Sequence, residues 1–116
     1  MRAYRLAREL IDVACVDAEK LNNNQVTEKV AGQLYAAVAS IAANLGEGYS
    51  RSSGKDRSRI FEYALGSVRE SMIWYHAAKP FLGEATRERL DKLEEIRRLL
   101  LAIIPRERGK LIRPKH

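Results

Sequence analysis

Two sets of polar side chains recur at intervals that could bring chemistry together. Gln33, Ser40, Asn44 and Glu47 form one set; Asp56, Arg59, Tyr63, Ser67 and Glu70 form the other. Gaps of three, four and seven place each set on a single face of a helix. Glu47 and Glu70 are the carboxylates that could serve as general acid and base. Such work also needs an activated nucleophile, paired histidines or a glycine loop for phosphate, and none accompanies them. The other reading is structural. Two antiparallel helices carrying these flanks would join Ser40, Asn44, Glu47, Arg59, Ser67 and Glu70 into a network that fixes their register. A buried polar group left unsatisfied costs about 1–3 kcal/mol, so such a network would have to be paired. This structural reading is the expectation, with no enzymatic activity and no cofactor.

Metal and redox chemistry have little to build on. His76 and His116 are the only histidines, and no carboxylate spacing supplies a third ligand. The lone Cys15 excludes an intramolecular disulfide and a cysteine-based zinc site. It fits a reduced, cytoplasmic setting. The first residues, Met1-Arg2-Ala3-Tyr4-Arg5-Leu6, lack an apolar core of signal-peptide length. No apolar run approaches the roughly 20 residues that span a bilayer, so no membrane role is expected.

The charge is more informative. The net charge is +6, and the basic excess lies in two short segments. Arg51, Lys55, Arg57 and Arg59 oppose only Asp56; Arg106, Arg108, Lys110, Arg113 and Lys115 oppose only Glu107. The rest of the chain is close to neutral. Basic patches suit phosphate backbones or acidic surfaces, although solvated ends that aid solubility would look the same. Arg51, Lys55, Arg57, Arg106, Arg108, Lys110, Arg113 and Lys115 are therefore the candidate contacts to RNA or DNA. Tyr49, Trp74 and Tyr75 could stack on bases, but Tyr75 falls on an apolar face and Trp74 at its edge.

These residues must be positioned by helices. Hydrophobic residues make up 46% of the 116 residues and charged residues 31%, which suits one globular domain. Three Pro and seven Gly leave long uninterrupted stretches. Segment one, 2–21, repeats Tyr4, Ala7, Ile11, Ala14, Ala18 and Leu21 on one face, widened by Leu6, Leu10 and Val13. Asn22-Asn23-Asn24 is a loop. Segment two, 25–48, carries Val30, Leu34, Ala37, Val38, Ile41 and Leu45, with Thr27 or Asn24 as cap and Gly48 as a left-handed stop. Ser53 caps segment three, 55–79, with Asp56 as its capping-box partner. Its apolar arc is Ile60, Phe61, Ala64, Leu65, Val68, Met72 and Tyr75, and Pro80 and Gly83 end it. Gly66 inside it should cost about 1 kcal/mol relative to Ala, which close helix approach could offset and an exposed face could tolerate.

Segment four, 84–105, has Leu90, Leu93, Leu100, Leu101 and Ile104 as core stripe, with Ile96, Leu99 and Ile103 beyond it. Arg97 lies within that stripe and either snorkels or pairs with a carboxylate on another helix or subunit. Short connections make neighbours antiparallel, so the expected architecture is an all-α, up-down-up-down four-helix bundle over 1–105. A basic C-terminal tail, extended or mobile, would follow over 106–116. The wide apolar arcs of segments one and four favour self-assembly.

One stretch is more specific. Ser40-Ile41-Ala42-Ala43-Asn44-Leu45-Gly46-Glu47-Gly48 continues through Tyr49-Ser50-Arg51 and Asp56-Arg57-Ser58-Arg59-Ile60-Phe61 to Ala64-Leu65-Gly66-Ser67-Val68-Arg69-Glu70. It resembles the bacterial four-helix-bundle proteins encoded in intervening sequences of large-subunit ribosomal RNA genes. Those are related to the accessory variability proteins of diversity-generating retroelements. The resemblance covers roughly 38–70; the outer helices agree in length and amphipathicity only. The family pattern usually has Ala where this chain has Gly46, and Arg-Phe where it has Ile60-Phe61. The resemblance implies an antiparallel four-helix protomer, a ring-like homopentamer and no enzymatic activity. For the retroelement relatives it implies binding to a reverse transcriptase and to nucleic acid through a basic surface. The alternative expectation is a structural assembly protein with a protein partner and no polyanion role.

Overall fold

The computed structural model describes residues 1–109 as four helices: α1 (Arg2–Asn22), α2 (Glu28–Tyr49), α3 (Gly54–Leu82) and α4 (Ala85–Arg108). Each packs along the next, as in an up-down bundle, and α1 and α3 also touch across the core. The molecule is a rod of 54 × 19 × 18 Å. Lys110, Arg113, Lys115 and His116 lie outside the described residues.

The core follows helical periodicity. Leu10, Leu34, Val38, Ile41, Leu45, Phe61, Val68, Tyr75, Leu93, Ile96 and Leu100 are all buried. Two stripes are rotated from the expected ones. In α1 the buried face is Ala3, Leu6, Ala7, Leu10, Ala14, Asp17 and Leu21, which leaves Tyr4, Ile11 and Ala18 at its edge. In α4 it is Leu93, Ile96, Leu100 and Ile104; Ile96 belongs inside, and Leu101 is 42% exposed. A 100° step separates Leu101 from Leu100, so a helix meeting the core with Leu100 must turn Leu101 away.

Pro80 and Pro105 are both helical. α3 runs on past Pro80 to Leu82, and Gly83, at φ 64°, ends it. α4 runs past Pro105 to Arg108, so Arg106 and Arg108 belong to a helix rather than to an extended tail. A proline removes one backbone donor near the end of a helix. Ion pairs Arg57–Glu107 and Arg108–Glu62 hold the last turn of α4 against α3 and offset that loss.

The ends of α2 and α3 also differ in part from expectation. Ser53 accepts from the Asp56 backbone N–H at 3.1 Å, as a cap should. The Asp56 carboxylate faces Arg59 at 3.6 Å, so only one half of the capping box is seen. Thr27 precedes α2, but its hydroxyl donates to the Leu21 carbonyl at 2.7 Å and ties the α1–α2 connection. Asn24 accepts from the Val26 N–H, a local turn bond. Gly48 is not a left-handed stop. It is buried inside α2, where a Cβ would stand 2.5 Å from the Phe61 ring. Glycine is needed there for close approach of α2 and α3. Gly66, by contrast, has open space around it and needs no close neighbour.

Candidate nucleic-acid interface

The topology brings the separate basic segments to one end of the rod. A Cβ on Gly46 would stand 3.7 Å from Tyr4, so the start of α1 meets the end of α2. Tyr49 packs edge-on against Phe61 at 5.7 Å, which joins the end of α2 to the start of α3. Arg57 reaches Glu107 at 3.0 Å, which adds the end of α4. Dividing each helix near its midpoint shows the result. Residues 1–12, 39–68 and 97–109 hold eleven Arg and Lys against six Asp and Glu; residues 13–38 and 69–96 hold seven against nine. One half of the rod is basic and the other slightly acidic.

The cations at this end differ in how free they are. Lys55 and Arg106 are exposed and have no ion pair among the described residues. Arg57 is only 17% exposed at its side chain. It donates to Glu107 and to the Arg51 carbonyl, the latter at 2.9 Å. This makes it a clamp between the α2–α3 connection and α4. Arg51 pairs with Glu47 at 2.6 Å one turn back along the chain. Arg108 pairs with Glu62. Arg5 and Arg8, on the first turns of α1, add exposed charge that the sequence reading missed. Arg8 lies over the Tyr4 ring at 5.9 Å. The missing signal was topological, because charge tallied along contiguous segments does not register a neighbour 45 residues away. Tyr49, 48% exposed, lies beside the clamp. Partial burial, and then the charge of Glu107, raise its phenol above the ordinary value.

The six polar residues of α2 and α3 do not form one network among the described residues. Ser40 and Ser67 alone meet across the two helices, their hydroxyls 2.5 Å apart. Glu47 turns to Arg51, Glu70 accepts from the Trp74 indole at 3.3 Å, and Arg59 faces Asp56 and the Tyr63 hydroxyl. Asn44 is half-buried. The reason is geometric. Side chains flanking an exposed helix surface find partners one turn away on their own helix more easily than across a seam. Arg97 follows the same rule and binds Glu94 on its own helix through contacts of 2.6–3.0 Å rather than a carboxylate elsewhere. Those bonds hold Glu94 below the usual carboxylate value.

The polar network that does cross the core was not foreseen. Asp17, 1% exposed, accepts from the Tyr75 hydroxyl at 2.7 Å and from Arg89 at 2.9 and 3.3 Å. It joins α1, α3 and α4. Burial first, and the bond to Asp17 second, push the Tyr75 phenol well above its ordinary range. The group is saturated with internal partners and sits inside the packed core, so it reads as a structural staple. No cluster of His, Cys, Asp and Glu able to hold a metal occurs among the described residues. No helix among them is long and apolar enough to cross a membrane.

Comparison with known proteins agrees with this architecture. A crystal structure of a protein of unknown function from the S23 ribosomal protein family of Bacteroides thetaiotaomicron VPI-5482 superposes with a TM-score of 0.81. The match covers 88% of this chain and 97% of that one at 22% identity, and so speaks for the fold. No curated protein matches. The profile of the 23S rRNA-intervening sequence protein family matches residues 1–102, nearly the whole described chain, and the protein belongs to that family.

Proposed function

We propose that this protein is a non-enzymatic, self-assembling helical module whose basic end binds nucleic acid. The observation that carries the reading is the gathering of separate basic segments at one end of the rod. Arg5, Arg8, Lys55 and Arg106 offer exposed cations there, beside the exposed Tyr49 ring. A stacking aromatic among cations suits a single strand or a loop. Assembly into a ring, five-membered by family resemblance, would repeat these charges and raise affinity without a new type of contact.

Mobility shifts with RNA and DNA over a salt series test the reading. Binding should weaken steeply with salt. Changing Arg5, Lys55 and Arg106 to Gln should lower the salt slope by about one per phosphate contact removed. Absence of binding at low salt would sink the proposal.

A second reading has its own support. Arg51, Arg57, Arg59 and Arg108 already face carboxylates within the chain, which lowers the charge left for a polyanion. On that reading the end docks a protein, such as a reverse transcriptase, or simply serves assembly. Pull-down with and without nuclease treatment separates the two.

A further inference from the structure

The α3–α4 turn lies at the end of the rod away from the basic segments, because Arg57 near the start of α3 meets Glu107 near the end of α4. An open dent of about 620 Å³ sits at this turn. Lys79, Pro80 and Gly83 line it from α3 and the turn; Thr86, Arg87 and Leu90 line it from α4. Gly83, at φ 64°, turns the chain sharply, and α4 begins two residues later.

Two kinds of polar group at the dent have no use within the chain. The Thr86 side chain is 1% exposed, yet its hydroxyl has no hydrogen-bond partner among the described residues. Leaving a buried hydroxyl unpaired is costly. The backbone N–H groups of Glu84 and Ala85 also lack a partner there. Thr86 and Arg87 donate to the Gly83 and Glu84 carbonyls at 3.1 and 3.2 Å, but no bond takes up the two N–H groups before them, and no side chain caps the helix. Cα–Cβ bonds tilt toward a helix N-terminus, so the Thr86 side chain leans toward these two donors. Lys79 and Arg87 are exposed and form no ion pair among the described residues. Glu84 and Asp91 also line the dent, exposed and likewise unpaired.

We propose that this dent binds a phosphate group, as the free ion or as a monoester. N–H groups and the dipole at the start of α4 favour an oxyanion. The Thr86 hydroxyl gains its partner, and Lys79 and Arg87 add charge-assisted bonds. Glu84 and Asp91 balance those two cations, so affinity comes from directed donors rather than from net charge. A metal ion is the poorer fit, since no cluster of His, Cys, Asp and Glu able to hold one occurs among the described residues. The dent is roomier than orthophosphate needs, and Pro80 and Leu90 give the organic part of a monoester an apolar wall. This site is separate from the basic end and does not rest on the function proposed for it.

The test is a titration of sodium phosphate at constant ionic strength, with sodium chloride making up the difference and amide resonances followed by NMR. The Glu84 and Ala85 amides should shift and saturate. Thr86→Val, close in shape, should weaken binding at least about tenfold, while the melting temperature without phosphate holds or rises because the unpaired hydroxyl is gone. Lys79→Gln and Arg87→Gln, at exposed positions, should each weaken binding. Asp91→Asn should tighten it by up to about fivefold, because a like charge is removed. Changing Arg5, Lys55 and Arg106 together to Gln should leave it unchanged, which separates this site from the basic end. Phenyl phosphate bound more tightly than inorganic phosphate assigns a monoester; equal binding assigns the free ion. Unmoved Glu84 and Ala85 amides overturn the proposal, and so does a shift that Thr86→Val leaves intact. A Thr86→Val protein that melts lower without phosphate shows that the hydroxyl has a structural partner, and that also overturns it.

Discussion

The Tyr75 hydroxyl and the Asp17 carboxylate meet at 2.7 Å inside a core made mostly of apolar side chains. Arg89 completes the charge balance from α4, at 2.9 Å. A buried carboxylate is tolerated only when its acceptors are filled. Asp17→Ala should therefore cost about 3 kcal/mol, because it leaves a guanidinium and a phenol without their partner. Tyr75→Phe should cost about 1–2 kcal/mol. Urea denaturation of the single and double variants should show strong coupling between them.

The same bond makes stability depend on alkaline pH. Burial and Asp17 raise the Tyr75 phenol, so the folded protein keeps this proton where the unfolded chain has lost it. Stability from this group is complete below the ordinary tyrosine value, near pH 10, and falls as pH rises above it. Chemical denaturation from pH 8 to 11 should show a steeper loss for wild type than for Tyr75→Phe. Equal slopes would show that other groups govern alkaline unfolding.

Two glycines in neighbouring helices should respond in opposite directions. Gly48→Ala places a methyl against the buried Phe61 ring and should cost about 1–3 kcal/mol. Gly66→Ala adds a methyl in open space on an exposed helix and should stabilise by about 1 kcal/mol. Thermal melts of both variants check the pair.

Arg57 should behave unlike its basic neighbours. Its loss breaks the contacts to Glu107 and to the Arg51 carbonyl. Arg57→Gln should cost about 2 kcal/mol. Lys55→Gln, at an exposed position, should leave stability within about 0.5 kcal/mol. A melting temperature unchanged by Arg57→Gln would return this residue to the pool of free cations.

Much of the fold could be read from the chain. Leu34, Val38, Ile41 and Leu45 announce the core face of α2, and Ser53 announces the start of α3. The rotation of α1 could not be read so simply. Asp17 occupies a core position, and a carboxylate breaks an apolar pattern unless its distant partners are known. Tyr75 and Arg89 are 58 and 72 residues away. Pro80 and Pro105 misled in another way: a proline weakens a helix locally, but contacts with α3 decide whether α4 continues. At the basic end, Lys55 and Arg106 were legible as charges. That Arg57 is a clamp, and that Arg5 and Arg8 lie at the same end of the rod, depended on tertiary placement.

The meeting of α1's first turn and α4's last turn at the basic end also bears on how the protein can be handled. A tag or fused domain joined to α1's first turn would be tethered beside that cationic end and would shield it from a partner. The Asn22–Asn24 connection is exposed and lies at the opposite end. A reporter inserted there would leave the basic end clear, and comparing the two placements would reveal whether a weak binding signal reflects the protein or its label.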